Sequence, residues 1–198
     1  MLNFPFGAQS ASASGVLPDP VPAHPLLEGK KEIGRGQHSI VLDKGDGERV
    51  YKLVTSPADY WLHTAADRPR GKHFPIVYAD HGDVGVARSG YRMYLLETER
   101  LYPLTPNAQA AVLASQLVQA YWDGCLRWRE LGAQMGRVAM YHLAVGGPFA
   151  WDQSFQAALK TLAEFVEDYE VLPDLLKTDN LMVRKDGTLV FSDPVFVP

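Results

Sequence analysis

A single cysteine, Cys125, stands among 198 residues, which excludes an internal disulfide and makes a reducing compartment the expectation. The six histidines include no pair spaced i, i+4 on one helix, and no paired-cysteine spacing occurs, so no zinc site is expected. No apolar run approaches the ~20 residues of a membrane span, and the start MLNFPFGAQSASASG lacks the basic region and continuous apolar stretch of a secretory signal. A cytoplasmic protein with no membrane partner is expected. Charge of one sign is scarce as well. Nineteen Lys and Arg against 23 Asp and Glu leave a net charge of -4, weak and of the wrong sign for a phosphate backbone, which argues against nucleic acid as the partner. What remains, 46% hydrophobic and 21% charged residues without internal repeats, is enough for one ordinary globular core.

Residues 1–28 are rich in Ser, Ala, Gly and Pro and read as a flexible arm, with Leu2, Phe4 and Phe6 as its apolar residues. Residues 29–198 form the domain. From Lys31 to Val54 two short apolar strands flank the turn Asp43-Lys44-Gly45-Asp46-Gly47, whose glycines suit positive φ. A short helix is expected over Ala58 to Ala66 after the cap Ser56-Pro57, then strands at Phe74 to Tyr78, Gly85 to Ala87 and Tyr91 to Leu96. Beyond Pro106 helical spacing takes over, first in a long alanine-rich stretch through Trp122 and again from Trp151 to Tyr169. Leu181 to Arg184 and Thr188 to Phe191 flank Lys185-Asp186-Gly187 as a closing hairpin. The order describes an α+β protein with two lobes: a β-rich N-lobe with one helix (about 29–100), a join at about 99–104, and a reduced helical C-lobe (about 105–198) ending in a small hairpin.

Three features carry chemistry together. Gly34-Arg35-Gly36 lies in a turn between strands, where small residues let backbone N–H groups approach phosphate oxygens; its bland explanation is a hairpin needing positive φ. Lys52, in Val50-Tyr51-Lys52-Leu53 on the following strand, can set an ammonium against phosphates beneath that turn. Asn180 and Asp193 stand at the two ends of the closing hairpin and can converge on a metal ion; oxygen ligands of this kind suit Mg²⁺ bridging phosphates. Tyr121, Trp122, Trp128 and Trp151 read as core, Cys125 as a buried inert thiol, and Arg127, Arg129 and Arg137 as a solvated helix surface.

With these residues the sequence resembles the protein-kinase-like fold: Gly34, Gly36 and Val41 match the glycine loop, Lys52 the phosphate-pairing lysine, Asn180 the catalytic-loop asparagine and Asp193 the metal-binding aspartate. Glu97-Thr98-Glu99-Arg100-Leu101 falls where the resemblance places the adenine-holding hinge, with Glu99 and Leu101 as its contacts. Asp59-Tyr60, His73-Phe74-Pro75, Glu99-Arg100-Leu101, Asn180-Leu181-Met182-Val183-Arg184 and Ser192-Asp193-Pro194-Val195 look more closely like the short kinase-like proteins of tailed bacteriophages. The resemblance implies ATP and Mg²⁺ as cofactors, a host protein as partner and the bacterial host cytoplasm as location.

Three departures from the family pattern stand out. Ser39 occupies the place of the third glycine. No glutamate lies between Lys52 and Phe74, so the lysine lacks its usual carboxylate partner unless Asp59 or Asp67 substitutes. The family's catalytic aspartate would fall five residues before Asn180, where Leu175 stands, and Asp174 is one residue further back. Either a bulge swings Asp174 into the site, or Asp179 fills in, or phosphoryl transfer is crippled. The functions left open are transfer of the ATP γ-phosphate to a Ser or Thr hydroxyl of a host protein, a catalytically degenerate kinase-like protein that binds and modulates a host protein, and a small-molecule phosphotransferase resembling the aminoglycoside kinases.

Overall fold

The computed structural model describes residues 19–106 and 108–197, so the expectations for Leu2, Phe4 and Phe6 lie outside the described residues. Its first half is a five-stranded antiparallel sheet of β1 (Glu32–Arg35), β2 (Ser39–Asp43), β3 (Arg49–Val54), β4 (Val77–Val86) and β5 (Arg92–Glu99), in the order β1-β2-β3-β5-β4. The helix α1 (Pro57–Thr64) connects β3 to β4, capped by Ser56, whose side chain accepts from the Asp59 N–H. Alternation on β2 sends Ile40 and Leu42 inward with Leu53, Met93 and Leu95. β3, between β2 and β5, is buried on both faces except at Arg49 and Lys52.

Three expectations change here. Three strands, not two, occupy Lys31 to Val54, because β1 is a short exposed edge strand with no apolar alternation to announce it. Two expected pieces are one ten-residue strand, β4; it lies at the other edge, and irregular register with Gly82 and Gly85 at positive φ accommodates the polar stretch Ala79-Asp80-His81-Gly82-Asp83. The arm is not free throughout: Leu27 is buried against the sheet, and the Asp19 carboxylate accepts from the Arg88 N–H at 2.6 Å. The turn glycines Gly45 and Gly47 do take positive φ, as expected.

The second half packs α2 (Gln109–Arg127), α3 (Met135–Gly146) and α4 (Gln153–Asp168) together, with a short 3-10 segment, Arg129–Gln134, before α3. α3 is an addition to the expected pair of helices. Its entry is broken at Gly132 (φ 58°), which interrupts the helical period between Trp128 and Met135. Asp152 caps α4 by accepting from the Ser154 and Phe155 N–H groups, worth ~1 kcal/mol. The core includes Leu117, Tyr121, Met140, Phe155, Leu159 and Leu162. Trp122 and Trp151, expected inside, are 41% and 63% exposed; the helices meet through smaller side chains instead.

Two short sheets close the chain. β6 (Leu172–Pro173) pairs with β9 (Val195–Phe196), and β7 (Leu181–Val183) with β8 (Leu189–Phe191) around Gly187 (φ 83°). They also tie the halves together. Tyr102, just past β5, bridges to Val183; the Phe191 N–H donates to the His73 carbonyl; Phe191 packs between Phe74 and Phe155. The result is an α+β architecture with a sheet half and a helical half joined at residues 99–103 and at this hairpin.

Candidate functional site at the junction of sheet and helices

Lys52 points off β3 into the junction, where its ammonium lies 2.8 Å from Asp59 Oδ2 and 3.1 Å from Oδ1, and donates to the Ser192 carbonyl at 3.2 Å. Asp59, and not Asp67, is thus the carboxylate that pairs with Lys52. It can do so because α1 packs directly against β3, so the shorter carboxylate reaches. Asp67 has another role, accepting from the Tyr169 hydroxyl. The pair is well protected: the Lys52 side chain is 12% exposed and that of Asp59 is 1% exposed.

The second wall is the segment from β6 to β9. The Asp174 N–H donates to the Pro194 carbonyl at 2.7 Å, and Asn180 Nδ2 donates to the Asp174 carbonyl at 2.7 Å. The Ser192 and Asp193 N–H groups both donate to the Asn180 carbonyl. Asp174, Asn180 and Asp193 are therefore stitched into one backbone unit, beside which Lys52 sits. Leu175, at the position the resemblance gives to the catalytic aspartate, is fully buried in the helical core. That anchor leaves Asp174 at the junction, its carboxylate 3.9 Å from Lys177 Nζ, while Asp179 is exposed on the 3-10 turn Thr178–Asn180. Beneath the loop, the Tyr121 hydroxyl donates to the Pro173 carbonyl at 3.1 Å and Arg137 Nε to the Val171 carbonyl at 3.0 Å, so Arg137 does not belong to a solvated surface.

The charges are mutually dependent. Burial works against the Lys52 ammonium, but the carboxylates of Asp59 and Asp193 outweigh it and hold its pKa above the usual lysine value. Burial would raise Asp59 too, yet Lys52 and His63 pull it below the usual carboxylate range. Asp193 goes the other way: burial and the Asp59 charge push it up to about 7 against the attraction of Lys52. One lysine thus faces two carboxylates, and Asp193 is the one left under-compensated. A divalent cation would relieve that imbalance.

Asn180 is buried and its Oδ1 accepts no hydrogen bond among the described residues, so with Asp193 it offers hard oxygen donors. No group of three or more His, Cys, Asp or Glu side chains is placed to hold a metal among the described residues. Such a donor set fits Mg²⁺ whose shell is completed by phosphate oxygens and water, not an all-protein cage.

Gly34 and Gly36 lie at the β1–β2 turn, where Gly34 pairs with Val41 and the Gly36 N–H donates to the Ser39 carbonyl. Neither takes positive φ. Turn geometry therefore does not explain them, and the missing side chains leave space at the turn. The expected hinge divides. Glu99 is 9% exposed and its carboxylate accepts from Arg184 at 2.6 and 2.7 Å and from the Ile76 N–H, a structural pair that takes its side chain away from ligand binding. Glu97 is likewise held by Lys44 and Arg49. Leu101, half-buried, takes part in no backbone hydrogen bond among the described residues, which keeps its main-chain groups available. Surface concavities also lie between α3 and α4 along Arg137 and Tyr141 and beside the β7–β8 turn at Tyr102 and Lys185.

His63, not among the expected site residues, has its ring facing Asp59 from one helical turn on; the i, i+4 spacing was its signal. The Ser192 carbonyl, which accepts from Lys52, is likewise a site group that no sequence pattern announces. No protein-family model matches the chain, and no curated protein matches it significantly.

Proposed function

We propose that the chain is a phosphotransferase of protein-kinase-like architecture that binds Mg-ATP at the junction of its two halves and passes the γ-phosphate to a Ser or Thr hydroxyl of a host protein, as the phage-type resemblance implies. The observation that carries this is the buried Lys52–Asp59 pair facing the stitched Asp174–Asn180–Asp193 unit. The strand order, the single helix between β3 and β4, and a loop–hairpin–loop segment bearing Asn180 and Asp193 support the same reading.

In this account Lys52 holds phosphate oxygens, the open turn at Gly34 and Gly36 with Ser39 and Val41 covers them, and Leu101 meets the base through its backbone. Asn180 and Asp193 would hold Mg²⁺, which when bound supplies neutralising charge to the phosphates. The Asp174 carboxylate orients the acceptor hydroxyl and takes its proton as the new O–P bond forms and the bond from the γ-phosphorus to the bridging oxygen breaks, releasing ADP. The geometry supplies position and charge, the main requirements of this chemistry.

One observation favours a second reading, a host-protein binder that keeps the architecture without the chemistry: the Lys52 ammonium is already engaged by Asp59 and the Ser192 carbonyl. Incubation of the protein with γ-labelled ATP, Mg²⁺ and a bacterial lysate separates the two. Transfer should label Ser or Thr, and Asp174→Asn should cut it by ~10²-fold or more, the usual loss on removing a general base. A folded wild type that labels nothing while binding Mg-ATP would favour the binder.

A further inference from the structure

His63 is buried at 2% exposure, and its Nε2 is the one side-chain nitrogen or oxygen among the described residues that is buried with no hydrogen-bond partner. Its other nitrogen is engaged. Nδ1 lies 2.7 Å from the Asp59 carbonyl and 3.2 Å from Asp59 Oδ1. Both neighbours are acceptors, so Nδ1 carries a hydrogen; it donates to the Asp59 carbonyl, and Oδ1 stands beside the same N–H in a charge contact. Nε2 is left facing the interior unpaired, which costs stability at a position where a purely apolar ring would avoid the penalty.

The arrangement has a use. Asp59 is the third residue of α1, in its first turn, and a carboxylate there is well placed to fold back on the free N–H groups of the helix start. His63 acts from the opposite side, one turn towards the C-terminus. Its ring contacts Oδ1 at 3.2 Å, on the carboxylate whose Oδ2 sits 2.8 Å from Lys52 Nζ. Asp193 is the other carboxylate that acts on the Lys52 ammonium, so a looser Asp59 would shift Lys52 towards it.

We propose that His63 is a positioning residue for the site: its Nδ1–H orients Asp59, which in turn keeps Lys52 free of Asp193 and ready for an anionic ligand. The inference rests on the proposed function only in taking Lys52 as the group that meets phosphate.

The test compares His63→Phe and His63→Leu, which remove the donor, with His63→Asn, whose amide nitrogen can replace Nδ1. Three quantities are read: the melting temperature without nucleotide, the Mg-ATP dissociation constant, and the NMR signal of the Lys52 ε-carbon without nucleotide. The expected result for the Phe or Leu variant is melting within about 3 °C of wild type or above it, with Mg-ATP bound about tenfold more weakly, the worth of one lost orienting hydrogen bond. The Lys52 signal should move in these variants and return in His63→Asn, together with the affinity. Unchanged affinity and an unmoved Lys52 signal would overturn the proposal. So would an affinity loss that tracks a large drop in melting temperature without rescue by Asn, or a failure of both apolar variants to fold, since each makes the imidazole a packing element. If the wild type binds no Mg-ATP, the nucleotide reading fails, and the Lys52 signal in the same three variants still decides the role of His63.

Discussion

Replacing Asp59 by Asn keeps the shape of the side chain and removes its charge, leaving the Lys52 ammonium, on a side chain 12% exposed, without its nearest counter-charge. Removing one partner of a buried pair typically costs ~3–5 kcal/mol, because the survivor remains desolvated. Here Asp193 also faces Lys52, and its carboxylate can take over part of the compensation. That places the expected loss at the lower end, about 3 kcal/mol, or roughly 6–12 °C in melting temperature for a domain of this size. Urea titration followed by circular dichroism reads the loss directly. A cycle with Lys52→Met isolates the pair: the double variant should be less destabilised than the two single losses added, with a coupling of about 2 kcal/mol or more. The effect should persist at high salt, since buried pairs are weakly screened. Asp59→Asn within about 0.5 kcal/mol of wild type, with an additive cycle, would refute the claim that the pair is a buried unit.

Other expectations follow from the same geometry. Asp193 has its carboxyl raised from 3.8 to about 7, so between those values the folded chain binds a proton that the unfolded chain does not, and stability should fall as pH rises through that window. Asp59, whose pKa is lowered, adds stability above its ordinary value of 3.8 that is lost as the solution is acidified below it, placing the optimum near the acidic end of the window. Urea midpoints at several pH values should show this slope in wild type and a flatter one in Asp193→Asn; the same slope in both would count against Asp193 as its source. Gly34→Ala should leave stability unchanged or raise it by ~0.4–1 kcal/mol, since its φ is ordinary and a Cβ would meet Val41 at 3.7 Å, yet weaken nucleotide binding measured by calorimetry. Arg184→Met should cost about 3–5 kcal/mol in denaturant titration by leaving the Glu99 carboxylate buried and unpaired, and Arg184→Lys should recover only part, because a single ammonium cannot reproduce the two-pronged contact.

The sequence made visible what depends on local pattern. Glycines at Gly45, Gly47 and Gly187 marked the hairpins correctly, and the apolar period of α4 marked that helix to within two residues of its observed start. Edge strands escaped, because β1 and much of β4 bury little and so carry no alternation. The site was legible as a set of residues and not as a set of roles. Lys52, Asp174, Asn180 and Asp193 come together, and Asp59 rather than Asp67 meets the lysine, a choice decided by the packing of α1 on β3. Glu99 shows the limit most clearly. Its place in the chain suggested ligand binding, but its partner Arg184 lies 85 residues away, and only the fold brings them together.

In the proposed function the junction around Lys52, Asn180 and Asp193 binds a nucleoside triphosphate together with Mg²⁺. Isothermal titration of the wild type and of Asp193→Asn with ATP, each with and without Mg²⁺, tests it most directly. Wild type should bind saturably and more tightly with Mg²⁺, and Asp193→Asn should lose that Mg²⁺-dependent strengthening. Folded wild-type protein that takes up no heat with millimolar Mg-ATP and shows no rise in melting temperature, or binding that Asp193→Asn leaves equally sensitive to Mg²⁺, would contradict it.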